Sequence, residues 1–183
     1  NGTRTKAMID VHVLTHEGTK PEWLDECLKS LANEPCTVHV LDNTGCTVGQ
    51  GRSKGYRLGF HPFVTYVDSD DHVFPGVMAA VCDALQTHDS VCTAEVAMLD
   101  GVEFFKNRDR GHALFAARRD VIAPLLDHME TVPYASDLLV RRHLKPHRIG
   151  FLGYSWRIHD GQAHRKIDGA MLRREFERCP WQH

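Results

Sequence analysis

Phe63-Val64-Thr65-Tyr66-Val67-Asp68-Ser69-Asp70-Asp71 sets a short apolar run directly against three carboxylates. All of the first five residues are β-branched or aromatic, which reads as a buried strand. Asp68 and Asp70 are two apart, so an extended backbone turns them to one side, with Cα atoms roughly 7 Å apart. Like charges held that close at the mouth of a sheet are unfavourable unless a cation lies between them. A hard divalent ion such as Mg2+ or Mn2+ suits two carboxylates and also binds phosphate oxygens. The plainer alternative is a turn followed by an N-cap for the next helix, where aspartate is common. At this point both readings stand.

Upstream, residues 8–14 form another short, Val- and Ile-rich strand. Pro21 then opens a helix, which Trp23, Leu24, Cys27, Leu28 and Leu31 give one apolar face, and Asn33 and Pro35 end it. Residues 37–41 read as a second strand, closed by the turn Asp42-Asn43-Thr44-Gly45. Gly49, Gly51, Gly55 and Gly59 punctuate a segment with a helix carrying Arg52, Tyr56 and Leu58. Downstream of the acidic run, the pattern predicts a helix over 75–85 and a strand over 91–99. An irregular stretch to Gly111, helices near 118–127 and 135–144, and short strands over 148–152 and 155–158 follow. The last segment is polar and Arg-rich. Strands alternating with helices imply an α/β domain with a mainly parallel sheet, whose ligands bind outside the carboxyl ends of the strands. Three polar clusters fall at such ends: Thr15-His16-Glu17, Asp42-Asn43-Thr44 and Asp68-Ser69-Asp70-Asp71.

A length of 183 residues, 42% hydrophobic and 25% charged, suits a single domain with a substantial core. The net charge of -2 argues against a chain that coats nucleic acid electrostatically. A local basic face is still available in the C-terminal third, which holds Arg141, Arg142, Lys145, His147, Arg148, Arg165, Lys166, Arg173 and Arg174. The six cysteines form no CxxC pair, and Cys27, Cys82 and Cys92 fall in apolar segments, so a reducing, cytoplasmic location is expected. No signal peptide and no apolar run near eighteen residues is present, so no membrane span is expected. The Gly-rich segment lacks the Gly-Lys-Ser/Thr of a Walker loop.

The order of these features resembles the family 2 glycosyltransferases. In that family a Gly- and Arg-containing helix, here Gly49-Gln-Gly-Arg-Ser-Lys-Gly, precedes a buried strand and an Asp-x-Asp motif, here Asp68-Ser-Asp70. Pro21-Glu-Trp-Leu-Asp-Glu-Cys-Leu-Lys-Ser-Leu and Val38-His-Val-Leu-Asp-Asn-Thr are similar to its first helix and second strand. The resemblance runs in order over residues 8–85. Farther on, Ser136-Asp137-Leu-Leu is similar to the family's Glu-Asp-x-x-Leu helix, with Ser136 in place of Glu. Trp156-Arg-Ile-His159 is similar to its late Tyr-Arg-x-His segment.

The resemblance implies a GT-A fold in one domain. A nucleotide-binding half spans about 8–100, an acceptor half about 101–165, and a basic tail 166–183. It also implies transfer of a sugar from a nucleoside diphosphate sugar, most often UDP-linked, to an acceptor hydroxyl. By the same resemblance Asp70 and His159 bind Mn2+ or Mg2+, with Asp68 on the ribose or a metal-bound water. Thr15, Asp42 and Arg52 line the nucleotide site, and Asp137 is the general base of an inverting reaction. The acceptor is a glycan, a small molecule or a hydroxymethylated base in DNA, the last suiting a compact phage-type member. The bland alternatives are an Asx-turn for Asp42, an exposed helix face for Arg52, a solvated carboxylate for Asp137 and a bystander among 13 histidines for His159. Two other functions remain open, a nucleotidyltransferase of similar fold and a binding module that has lost turnover.

Overall fold

The first five residues of β1 (Ile9–Thr15) are all buried, including the polar Asp10 and His12. A strand covered on both faces is a central one. In the computed structural model, which describes residues 9–99, 102–107, 114–133 and 136–160, β1 pairs in parallel with two neighbours. These are β2 (Cys36–Asp42) and β3 (Phe63–Asp68). Next come β4 (His72–Val73), β5 (Ser90–Leu99), β6 (Val102–Asn107), β7 (Phe115–Arg118) and β8 (His147–Ile158). The sheet runs β2-β1-β3-β7-β5-β8-β4, with β6 also on β5. It is mixed: β5 and β8 are parallel, while β7 lies antiparallel between β3 and β5.

Two apolar layers cover the sheet. On one face α1 (Pro21–Leu31) and α3 (Val77–Ala84) bury Cys27, Leu31, Val77, Met78 and Val81 against Val11, Val13 and Val67. On the other, Tyr56, Val64, Tyr66 and Phe115 pack with Ile122, Met129 and Val140. The helices of this second layer are α2 (Val48–Tyr56), α4 (Arg119–Ile122), α5 (Leu126–Thr131) and α6 (Ser136–Leu144).

Helix α2, Val-Gly-Gln-Gly-Arg-Ser-Lys-Gly-Tyr, has poor intrinsic helix propensity. A capping box offsets this, with Thr47 Oγ1 accepting from the Gln50 N–H and Gln50 Oε1 from the Thr47 N–H. Its glycines are there for close approach. A Cβ on Gly49 would collide with the carbonyl oxygens of Val132 and Met129, and one on Gly55 with the His12 ring. The helix can therefore lie directly on β1 and α5.

Several local expectations are refined. Pro124 lacks an N–H and breaks the helix expected over 118–127 into α4, a 3-10 turn (Ala123–Leu125) and α5. The two late strands are one continuous β8 with register shifts against β5. The stretch expected to be irregular contains β6, and the short β7 was not anticipated. Buried Asp10 fixes the opposite end of the sheet, accepting from Arg119 Nη2 at 2.6 Å, His39 Nε2 at 2.9 Å and the His61 N–H at 2.7 Å. Among the described residues no helix is long and apolar enough to cross a membrane. The basic tail expected over 166–183 lies outside the described residues.

Candidate functional site

Parallel pairing brings the three polar strand ends side by side. Thr15 is the register partner of Asp42, and Leu14 that of Asp68. The Thr15 hydroxyl donates to the Leu41 carbonyl at 3.2 Å, tying the first two ends together. Exposed Asp42 accepts from the Thr44 N–H at 2.9 Å, and its bonds to Thr44 hold its carboxyl below the usual range. The Asx-turn anticipated for Asp42 is therefore present.

Arg52 is only 4% exposed, contrary to the exposed helix face open to it from sequence. The glycine-lined approach of α2 puts its guanidinium 3.6 Å from the centre of the Tyr66 ring. Its Nη2 is paired with Asp68 Oδ1. Nε and Nη1 are buried and find no hydrogen-bond partner among the described residues. Two orphaned donors on a buried cation are costly unless water or a ligand oxygen accepts from them.

The four residues Asp68–Asp71 divide their work. Asp71 is buried and structural: its Oδ2 accepts from Tyr154 Oη at 2.8 Å and its Oδ1 from the Arg157 N–H at 2.7 Å. These bonds hold β8 against the acidic turn. Arg157 adds Nε to the Asp70 carbonyl at 2.8 Å, pairs with Glu26 and lies over the Trp23 ring. His159, just past β8, is thereby brought back so that its Nε2 lies 2.7 Å from Asp70 Oδ2, with its ring 4.7 Å from that of Trp23. Burial and the neighbouring carboxylates raise the pKa of Asp71 well above its ordinary value.

Asp137, in the first turn of α6, faces the same centre. Its Oδ2 accepts from Tyr66 Oη at 3.1 Å, and that phenol accepts from Arg141 Nη2 at 2.7 Å. The structure thus gathers Arg52, Asp68 and Asp137 around Tyr66, and Asp70 with His159 beside them, with Thr15 and Asp42 on the adjoining strand ends. Tyr66, Tyr154 and Arg157 carry no role in the sequence reading, where Asp71 counts only as part of the acidic cluster and Arg141 only as part of a basic face. Tyr66 had a signal, because it is two residues before Asp68 and shares its side of the strand.

No group of three or more His, Cys, Asp or Glu side chains clusters for a metal among the described residues. Mg2+-type ions on nucleotides need only one or two protein ligands, with phosphates and water completing the shell. The Asp70–His159 pair, an oxygen and a nitrogen donor already in contact, fits that requirement.

Solved structures share this architecture. The fold is similar to that of S. aureus TarS. The structure of TarS 1–349 in complex with UDP-GlcNAc superposes with a TM-score of 0.65 at 15% identity, covering 91% of this chain and 65% of TarS 1–349. The UDP complex gives 0.60 at 16% identity, covering 82% and 60% respectively. The chain thus spans less than two thirds of the TarS 1–349 chain in these two comparisons. The mixed sheet flanked by helices is a GT-A fold, as the resemblance in sequence implied. No family model matches the chain, and no curated protein sequence matches it.

Proposed function

We propose that this chain is a metal-dependent glycosyltransferase that moves a sugar from a UDP-sugar to an acceptor hydroxyl. The observation that carries this reading is the buried Arg52, with two orphaned donors, at strand ends that also hold the Asp70–His159 pair. TarS structures of the same fold hold UDP and UDP-GlcNAc, which supports it.

In this reading Asp70 and His159 hold Mn2+ or Mg2+. The ion's chemistry is to neutralise the charge that develops on the departing diphosphate. Arg52 donates to the bound nucleotide from its low-dielectric position, with Thr15 and Asp42 lining the nucleoside side. Asp68 keeps Arg52 oriented and offers its exposed edge to the ribose. Asp137 accepts the proton of the attacking acceptor hydroxyl, so the sugar inverts at its anomeric carbon. Tyr66, hydrogen-bonded to Asp137 and stacked on Arg52, fixes the base relative to the nucleotide. A glycan or a small molecule presents such a hydroxyl. The DNA acceptor rests only on the basic composition of the C-terminal third.

Calorimetric titration with UDP tests the proposal. With Mn2+ present the chain should bind; chelator or Asp70→Ala should weaken binding at least about tenfold, one order of magnitude being about 1.4 kcal/mol. Equal affinity in all three conditions removes the metal, and no binding in any of them removes the UDP reading.

A further inference from the structure

Helix α1 carries Trp23 and Glu26, neither of which has a part in the chemistry proposed above. They are three apart, so they share one side of the helix. Pro21 sits in the first turn, and Lys20 before it is extended, the conformation a following proline favours. That turn folds Lys20 back over the half-buried Trp23 ring, with Nζ 3.9 Å from its centre. The Arg157 guanidinium carbon lies 5.0 Å from the same centre, and the His159 ring 4.7 Å away at a tilt of 52°. Glu26 pairs with Arg157 as well. A ring and a carboxylate of α1 therefore grip Arg157, while its Nε donates to the Asp70 carbonyl and its N–H to Asp71.

The register of β8 with β5 closes at Leu99–Ile158, one residue before His159. The ladder thus sets the backbone at Arg157 and leaves the direction of the His159 ring to side chains. An imidazole turns about two torsions, and only some settings bring Nε2 to Asp70 Oδ2, 2.7 Å away. The indole of Trp23 fills space beside that imidazole and removes settings in which it swings off. An ion then meets two donors already ordered, and binding forfeits less side-chain entropy. Packing also dries the pair: the His159 and Asp70 side chains are 21% and 28% exposed, enough for an ion to enter. Removing water strengthens the attraction between ion and ligands.

We propose that Trp23 is a positioning residue for the divalent ion, its ring, braced by Lys20 and Arg157, keeping the His159 imidazole turned to Asp70. This rests on the metal reading above. Mn2+ binding in the presence of UDP is followed by EPR. The free-ion signal gives the affinity, and pulsed measurement detects a coordinated imidazole nitrogen. The parent should show that nitrogen, and His159→Gln should lose it. Trp23→Leu keeps an apolar side chain with good helix propensity, so it should fold with a melting temperature near the parent's. It should bind Mn2+ at least about tenfold more weakly, as when a group that orients a metal ligand is removed, and with a reduced nitrogen signal. Trp23→Phe restores a ring and should recover most of the loss. Affinity for UDP in chelator should be the same in all of these proteins. Equal Mn2+ affinity in Trp23→Leu and parent, or a Trp23→Phe as weak as Trp23→Leu, overturns the proposal and leaves the metal reading standing. Bound Mn2+ without a nitrogen signal in the parent also overturns it, because His159 is then no ligand. A parent that binds UDP but no Mn2+ removes the metal reading, and the proposal with it.

Discussion

Arg52→Met tests whether the orphaned donors serve a ligand or are an accident of packing. The replacement keeps most of the volume and removes the charge. It forfeits the stacking on Tyr66, worth about 1–2 kcal/mol for a desolvated cation. It also breaks the pair with Asp68. Breaking a fully buried pair costs about 3–5 kcal/mol, but the Asp68 side chain is 44% exposed. Water replaces the guanidinium there, so about 1 kcal/mol is the appropriate figure. Against these losses, the variant no longer buries two unsatisfied donor nitrogens, each costing about 1–3 kcal/mol. The relief matches or exceeds the loss, so the ligand-free variant should lose no more than about 1 kcal/mol of stability. UDP binding should respond very differently. Loss of one charge-assisted hydrogen bond of about 1.5–3 kcal/mol weakens it about 10- to 100-fold. Urea denaturation and calorimetry with UDP measure the two quantities. A folded Arg52→Met that binds UDP as tightly as the parent refutes the reasoning, and one that loses several kcal/mol of stability shows the guanidinium to be structural.

Asp137→Asn should lower sugar transfer by about 10²–10⁴-fold with little change in UDP affinity, read from the separate effects on kcat and donor binding. Gly49→Ala should destabilise by about 1–3 kcal/mol despite better helix propensity, because the added methyl meets the Val132 and Met129 carbonyls. Gly150→Ala, with open space at its Cβ, should leave the melting temperature nearly unchanged. His12 is buried, and burial, with Arg52 and His39 adding to it, holds its pKa well below the ordinary 6.5. The unfolded chain therefore takes up the proton first, and the His12 contribution to stability should be constant above about pH 7 and fall as the pH drops below about 6.5. The difference between parent and His12→Gln denaturation midpoints, followed from pH 8 downwards, should show that slope; a flat difference contradicts it.

Much of the fold was legible because its signals are local. The runs of Val and Ile ending at Thr15, Asp42 and Asp68 place three strand ends, and a parallel sheet sends such ends to one edge. Pro21 marks the start of α1 to the residue. By contrast, β7 has four residues, Phe-Ala-Ala-Arg, too few to show alternation, and its pairing with β3 and β5 comes from distant partners. The burial of Arg52 was equally hidden. A guanidinium in a Gly-rich helix reads as exposed until Gly49 and Gly55 are seen to seat that helix on α5 and β1.

The sequence by itself determined which residues can bear charge or donate near the strand ends, namely Asp68, Asp70, Arg52, Asp137 and His159. Residue type and short-range spacing carry that information. The tertiary structure alone decided how they are shared out. Asp71 is bound to Tyr154 and Arg157, which leaves Asp70 to meet His159, 89 residues away. Tyr66 joins Arg52 to Asp137 through its ring and its hydroxyl. Arg141 and Arg142 of α6, Lys145, and Arg148 of β8, a mere composition bias in the chain, come to line one open depression because the helix ends sharply at Lys145. These arrangements depend on side chains meeting across strands and helices that are far apart in sequence, and no local pattern of residues encodes such distances.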